Sequence, residues 1–207
     1  MRAGLPRAGF FAQLGMFVVP GFFDTESCAR LRREMRCSQT IPAPIHDKQN
    51  QVRVDEDQRK TEKALMSQET QTQVLSRLMS LRPSLESHFR IGLAGCQPLS
   101  FLVYKEGYSF GRHTDTSHDP GALALVRERR VSVSVFLNGE GEADDPDSYG
   151  GGALTFHGVS RDQSHTDSPG LSLIGEEGLL IAFRSDWPHA VGTINRGVRF
   201  SIVTWFT

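Results

Sequence analysis

His189-Ala190-Val191-Gly192-Thr193-Ile194 and Val198-Arg199-Phe200-Ser201-Ile202-Val203 are two β-like runs flanking Asn195-Arg196-Gly197. The three linking residues read as a short hairpin loop with glycine at its end. Pairing Ile194 with Val198 sets Thr193 opposite Arg199, Val191 opposite Ser201 and His189 opposite Val203. Directly opposed residues project to the same side, so one face should carry His189, Val191, Thr193, Arg199, Ser201 and Val203. Ile194, Phe200, Ile202 and Thr204 should occupy the other. Alone, Arg199 would read as an edge residue facing solvent. Beside a histidine on a half-apolar inner face it reads differently: burial there is costly unless an anion meets it, and its planar fork suits a carboxylate.

Working outward, the whole stretch from Leu99 has a period of two. Segments 99–104, 131–137, 153–157, 179–183, 189–194 and 198–206 are short, rich in Val, Ile, Phe and Thr, and separated by Gly, Pro, Asn and Asp. Such a series predicts an antiparallel sandwich or barrel, double-sheet jelly rolls included. The first half is helical. Asp24 and Thr25 are capping residues ahead of Cys28, Leu31 and Met35 at helical spacing, and Arg30, Arg32, Arg33 and Arg36 on that helix read as a solvated face. Ser67 or Thr70 opens a second helix with Val74, Leu75, Leu78 and Met79 as its stripe, and Pro83 fits the first turn of a third. Residues 41–63 read as a long loop or an irregular β-hairpin around Val52 and Val54, a candidate lid. Their Arg53, Arg59, Lys60 and Lys63 could line an entrance suited to an anion. The acidic segment 138–150 reads as a solvated loop. Residues 15–23 read as a strand feeding a helix rather than as a sorting signal.

The 207 residues allow one domain, and 38% hydrophobic with 23% charged residues excludes a disordered or fibrous chain. With 23 basic and 24 acidic residues the net charge is −1, which gives no footprint for nucleic acid. No apolar run is long enough for a bilayer, and Cys28, Cys37 and Cys96 form neither a C-x-x-C pair nor a disulfide framework. A soluble cytoplasmic protein without nucleic-acid or membrane partners is expected.

Two of the seven histidines begin the same tripeptide, His113-Thr114-Asp115 and His165-Thr166-Asp167. In a strand, side chains two apart share a face, so His-x-Asp can offer an imidazole and a carboxylate to one ion. A second histidine completes the facial triad that holds Fe(II) and leaves positions open. His113 follows the strand Phe101-Leu102-Val103-Tyr104 and a glycine-rich turn from Gly107 to Gly111, whereas His165 lies in a polar, turn-forming stretch. His113 and Asp115, with His189, are the chosen set.

The segment from Tyr104 to Asp115, then Tyr149-Gly150-Gly151-Gly152-Ala153-Leu154-Thr155-Phe156, Gly178 to Phe183, and His189 with Arg199 ten residues on, resemble the Fe(II)- and 2-oxoglutarate-dependent dioxygenases, in particular their prolyl 4-hydroxylase-like branch. The resemblance covers residues 99–207, and Phe17 to Phe23 is similar to that branch's start. It implies a mainly β (α+β) fold, a double-stranded β-helix (jelly roll) with N-terminal helices on one side. By the same likeness, 1–207 is one domain: 1–98 gives helical support and the substrate entrance, and 99–207 the β-helix core. His113, Asp115 and His189 would be the catalytic metal ligands for Fe(II). Arg199 would bind the distal carboxylate of 2-oxoglutarate with Ser201 as an auxiliary contact, and Tyr104 would hydrogen-bond the cosubstrate. Phe136 stands where some relatives place a second tyrosine. The implied activity is hydroxylation with O₂ of an unactivated C–H bond in a peptidyl or amino-acid, prolyl-like substrate, with ascorbate as an optional reductant. A small-metabolite hydroxylase and a non-catalytic metal-retaining jelly-roll sensor are the alternatives.

Overall fold

The computed structural model describes residues 8–46, 52–53, 55–141, 145–158 and 170–207. The first part of the chain supplies α1 (Ala8–Gln13), β1 (Phe17–Val19), α2 (Thr25–Cys37), β2 (Thr40–Pro42), β3 (Ile45–His46), β4 (Val52–Arg53), β5 (Arg59–Lys60), β6 (Glu62–Ala64), α3 (Gln68–Met79) and α4 (Arg82–Phe89). Strands then dominate: β7 (Ser100–Tyr104), β8 (Ser109–His113), the short α5 (Ala124–Arg127), β9 (Val131–Phe136), β10 (Tyr149–Gly151) and β11 (Leu154–Phe156). β12 (Leu171–Leu173), β13 (Leu180–Arg184), β14 (His189–Val191), β15 (Ile194–Gly197) and β16 (Arg199–Phe206) complete the series.

The helices begin where their capping chemistry says they should. Asp24 accepts the Ser27 N–H at 2.7 Å to open α2, and the Ser67 hydroxyl accepts the Thr70 N–H at 3.3 Å to open α3. Pro83 lies in the first turn of α4, where its missing N–H is not needed. On α2 the stripe Cys28, Leu31 and Met35 is buried as expected, and on α3 Val74 and Leu78 are buried while Leu75 is exposed.

These helices cover one face of a seven-stranded antiparallel sheet ordered β1-β13-β9-β16-β7-β6-β2. Phe22, Leu31, Met35, Leu78 and Leu85 pack with Val133, Val135, Leu180, Phe200 and Ile202 in one core. The other face meets a five-stranded sheet ordered β12-β11-β14-β8-β5. There Leu102, Tyr104, Phe136 and Phe183 share a second core with Leu154, Phe156 and Val191. Two facing antiparallel sheets with helices on one side make the expected double-stranded β-helix. β2 and β6 extend the large sheet from the first part of the chain, and β3 pairs with β4, so the described strands within residues 41–63 pair as an irregular hairpin would. Val54 lies outside the described residues.

Three expectations need correction. The runs around Asn195-Arg196-Gly197 do not pair with each other. β14 pairs with β11 and β8, β15 pairs with β10, and β16 crosses to the large sheet between β7 and β9. Gly197 makes that crossing at φ 72°, and a Cβ there would lie 2.7 Å from the Ser148 carbonyl oxygen. Thr193 is consequently exposed rather than facing Arg199. Second, the segment Gly107 to Gly111 is a turn only at its start, because residues 109–113 form β8. Third, Arg32 is not solvated: it is 3% exposed, bonded to the Leu137 carbonyl and Glu177, and 3.0 Å from Asp147. Arg36 meets the same Asp147 at 2.5 Å, so part of the acidic segment 138–150 clasps α2. Among the described residues no helix is long and apolar enough to cross a membrane.

Candidate metal centre and cavity

The inner faces of the two sheets enclose a cavity of about 740 Å³, within the range of small-ligand sites. His113 ends β8 and stands directly opposite His189 on β14, so both imidazoles project to one side of the smaller sheet. Asp115 lies beyond the end of β8 rather than in a strand. Its N–H and that of Thr116 donate to the Ser185 carbonyl at 3.0 and 3.2 Å, turning the carboxylate back toward the imidazoles.

One carboxylate oxygen is 3.5 Å from His113 Nε2 and the other is 3.5 Å from His189 Nε2. One ligand atom from each residue can be chosen so that all three lie within 4.8 Å of one another. The far side of each imidazole is fixed as well. His113 Nδ1 lies 2.8 Å from the Gly111 carbonyl and His189 Nδ1 lies 2.9 Å from that of Trp187. A carbonyl only accepts, so each Nδ1 carries the proton and each Nε2 turns its lone pair inward, as metal binding needs. Phe110 stacks on His113 at 3.6 Å between centroids, and Phe183 sets its edge against His189 at 4.8 Å.

Burial works to raise the Asp115 carboxyl pKa, but His189 and His113 beside it, with a 2.6 Å hydrogen bond from the Ser132 hydroxyl, hold it far below the usual carboxylate range. Burial pushes the His189 imidazole down against the opposing pull of Asp115. The trio thus presents two imidazole Nε2 atoms and one carboxylate to a single point, a donor set suited to a divalent first-row metal.

Arg199 enters from the large sheet, opposite Tyr104. It is 1% exposed, its guanidinium 4.7 Å from the Phe136 ring centroid and 5.4 Å from that of Tyr104. Nη1 donates to the Gly152 carbonyl at 2.6 Å, while Nε has no hydrogen-bond partner among the described residues. That carbonyl is delivered by glycine at φ 64°, where a Cβ would strike the Ile194 side chain at 2.2 Å. The Ser201 hydroxyl is also buried without a partner among the described residues. A buried cation and a hydroxyl with unused donors fit an anion that is itself hydrogen-bonded.

The cavity thus brings together His113, Asp115, His189, Tyr104, Arg199 and Ser201. His189 and Arg199 meet because two inner faces oppose each other across the sandwich, not because they share a hairpin. His165-Thr166-Asp167 lies outside the described residues. Sequence reasoning missed Ser132, which hydrogen-bonds Asp115 and the Ser185 hydroxyl. It also missed Arg129, which donates to the Asp115 carbonyl at 3.1 Å and lies 3.6 Å over the Trp205 ring. The strict alternation Val131-Ser132-Val133-Ser134-Val135 was the available signal, since its serines share the inner face. Tyr149 was quoted only as part of a motif, yet it is fully buried. Burial raises its pKa against the opposing charge of Arg199.

A family model described as the 2OG-Fe(II) oxygenase superfamily matches residues 99–207. A PKHD-type hydroxylase of Thermosynechococcus vestitus is 33% identical over 108 residues, which cover 52% of this chain and 42% of that protein. The chain thus spans less than half the length of that relative. Among solved structures, a Pseudomonas putida prolyl-4-hydroxylase superposes with a TM-score of 0.68 at 23% identity, covering 96% of this chain and 95% of the other. A viral collagen prolyl hydroxylase from Paramecium Bursaria Chlorella virus-1, in complex with 2OG, gives 0.64 at 17% identity, covering 92% and 94%. At these identities the structural likeness speaks to the fold alone.

Proposed function

The chain belongs to the 2OG-Fe(II) oxygenase superfamily, and from that premise we propose that it is an Fe(II)- and 2-oxoglutarate-dependent hydroxylase. His113, Asp115 and His189 are its metal ligands, and Arg199 with Tyr104 and Ser201 receives the cosubstrate. Its substrate is a peptidyl or amino-acid molecule, the class suggested by the prolyl hydroxylases among its structural neighbours. The observation that carries this reading is the convergence, in one cavity, of three ligand atoms within 4.8 Å and a buried arginine with an unpaired Nε.

With O₂, Fe(II) and 2-oxoglutarate supply oxidative decarboxylation to succinate and CO₂, coupled to oxygen insertion into a C–H bond. The chain's own part is geometric. Gly111 and Trp187 carbonyls hold the Nδ1 protons, and Ser132 fixes one Asp115 oxygen, so the three ligands are preorganised. Arg199 offers charge-assisted hydrogen bonds to the distal carboxylate of the keto acid, and Phe136 and Tyr104 keep water from its guanidinium. Phe110 and Phe183 shield the imidazoles, which strengthens every electrostatic contact in the site.

Anaerobic titration with Fe(II), followed by assay of O₂-dependent succinate formation from 2-oxoglutarate, tests the proposal. One equivalent of Fe(II) and measurable succinate are expected from the native chain. Asp115→Ala should lose both, because a vanished carboxylate leaves two imidazoles and no charge to balance the metal. Iron bound at this centre without any succinate would sink the hydroxylase reading in favour of a binding role.

A further inference from the structure

The cavity holds a second charged feature at its mouth. Lys63 on β6 stands opposite Leu102 on β7, and Leu102 stands opposite Ser201 on β16. Directly opposed residues share a face, so Lys63 and Ser201 lie on the same inner surface, and both line the cavity. With strands about 4.8 Å apart, the two backbones are roughly 10 Å apart. Arg59 reaches the cavity from the smaller sheet, opposite Phe110 on β8. Its guanidinium lies 4.6 Å over the Phe110 ring and donates to the Pro44 carbonyl at 3.1 Å, while its Nε is buried without a partner among the described residues. Phe110 in turn stacks on His113. One aromatic ring therefore separates this cation from the metal centre.

Nearby cations are matched differently. Lys60 lies 3.8 Å from Glu56 and Lys105 lies 2.7 Å from Glu62. Lys63 has no ion pair among the described residues; burial and the neighbouring charge of Arg59 both push its pKa down. Two cations that lose hydration side by side destabilise the chain unless an anion comes between them. Among the described residues the cavity supplies none. Of its two lining acids, Asp115 belongs to the metal trio, and Asp55 accepts the Gln58 N–H at 3.1 Å and is not free. Arg129 is engaged by the Gln97 side chain, the Asp115 carbonyl and the Trp205 ring, and Arg199 is matched by the cosubstrate in the functional reading, which leaves Lys63 and Arg59 for the substrate.

Resting on that reading, we propose that the substrate bears a carboxylate received between Lys63 and Arg59 at the cavity mouth, so that the chain selects acidic peptidyl or amino-acid molecules. The carbon to be oxidised then lies deeper, on the His113 side of Phe110.

The test uses the chain loaded with Mn(II) and 2-oxoglutarate, which holds the site without turnover. Paramagnetic relaxation is read on N-acetylglutamate N-methylamide and on its neutral isostere, N-acetylglutamine N-methylamide. A charge-assisted contact should make enhancement of the acid at least about tenfold greater than that of the amide. Lys63→Met, which keeps the stem in β6, should bring the acid down to the level of the amide, and Arg59→Gln should lower it in the same direction. Equal enhancement of acid and amide, no enhancement of either, or an acid signal indifferent to Lys63→Met would overturn the inference. Water relaxation in the same samples reports the metal: its absence removes the functional reading as well, whereas metal retained without acid preference removes only the carboxylate site.

Discussion

The two faces of β16 and its neighbours are built to opposite specifications. Toward the helices the large sheet presents Phe200, Ile202, Val133, Val135 and Leu180, all apolar and all buried. Toward the cavity the same strands present Arg199, Ser201, Ser132 and Ser134, also buried but polar or charged. Apolar burial stabilises a fold in proportion to area, whereas polar burial is unfavourable until each group finds a partner. The helical face therefore carries stability, and the cavity face gives some of it up to hold a site. Substitutions one residue apart on a single strand should separate the two roles.

The largest change in stability should come from the helical face. Phe200→Ala removes a buried ring from the helix–sheet core and should cost about 3–5 kcal/mol in denaturant unfolding, with Fe(II) affinity of the folded protein little altered. One residue away, Arg199→Met should raise the 2-oxoglutarate requirement about 10- to 100-fold through lost charge-assisted hydrogen bonds, read as a KM for succinate formation. Iron should stay bound, and unfolding should show unchanged or greater stability, because an uncompensated buried charge is gone. Loss of metal in Arg199→Met would break the division of labour between sheets. The smallest effect belongs to Ser132→Ala, which frees one Asp115 oxygen. About tenfold weaker Fe(II) affinity is expected, the low end for loss of a hydrogen bond to a metal ligand, measured by anaerobic titration.

Much of this arrangement was legible because strand parity is local. Alternation alone put Arg199 and Ser201 on one face and Phe200 and Ile202 on the other, and that assignment holds whichever strand pairs with β16. Capping by Asp24 and Ser67 was equally local. Pairing is not. The hairpin expected at Asn195 to Gly197 required knowing that Tyr149-Gly150-Gly151, far away in sequence, would take β15 as its partner. Arg32 failed for the same reason, since Asp147 and Glu177 lie 115 and 145 residues from it. β8 was hidden by its glycines. Gly111 sits inside a strand because the Gln58 side chain packs over it, 3.0 Å from where a Cβ would be. The candidate site residues come together in one cavity although the backbone route expected to join them does not exist, because opposed inner faces and a shared hairpin face bring the same side chains together.

β16 also has a consequence for the order in which the molecule can be assembled. It separates β7 from β9 in the large sheet and, among the described strands, is the one that joins them. Yet it is the last of the described strands to leave the ribosome. Until it arrives, β7 and β9 each present an open edge of unsatisfied backbone groups, the kind of surface that invites pairing with a foreign chain. The sheet closes from its middle, and the nascent chain carries two raw margins until then.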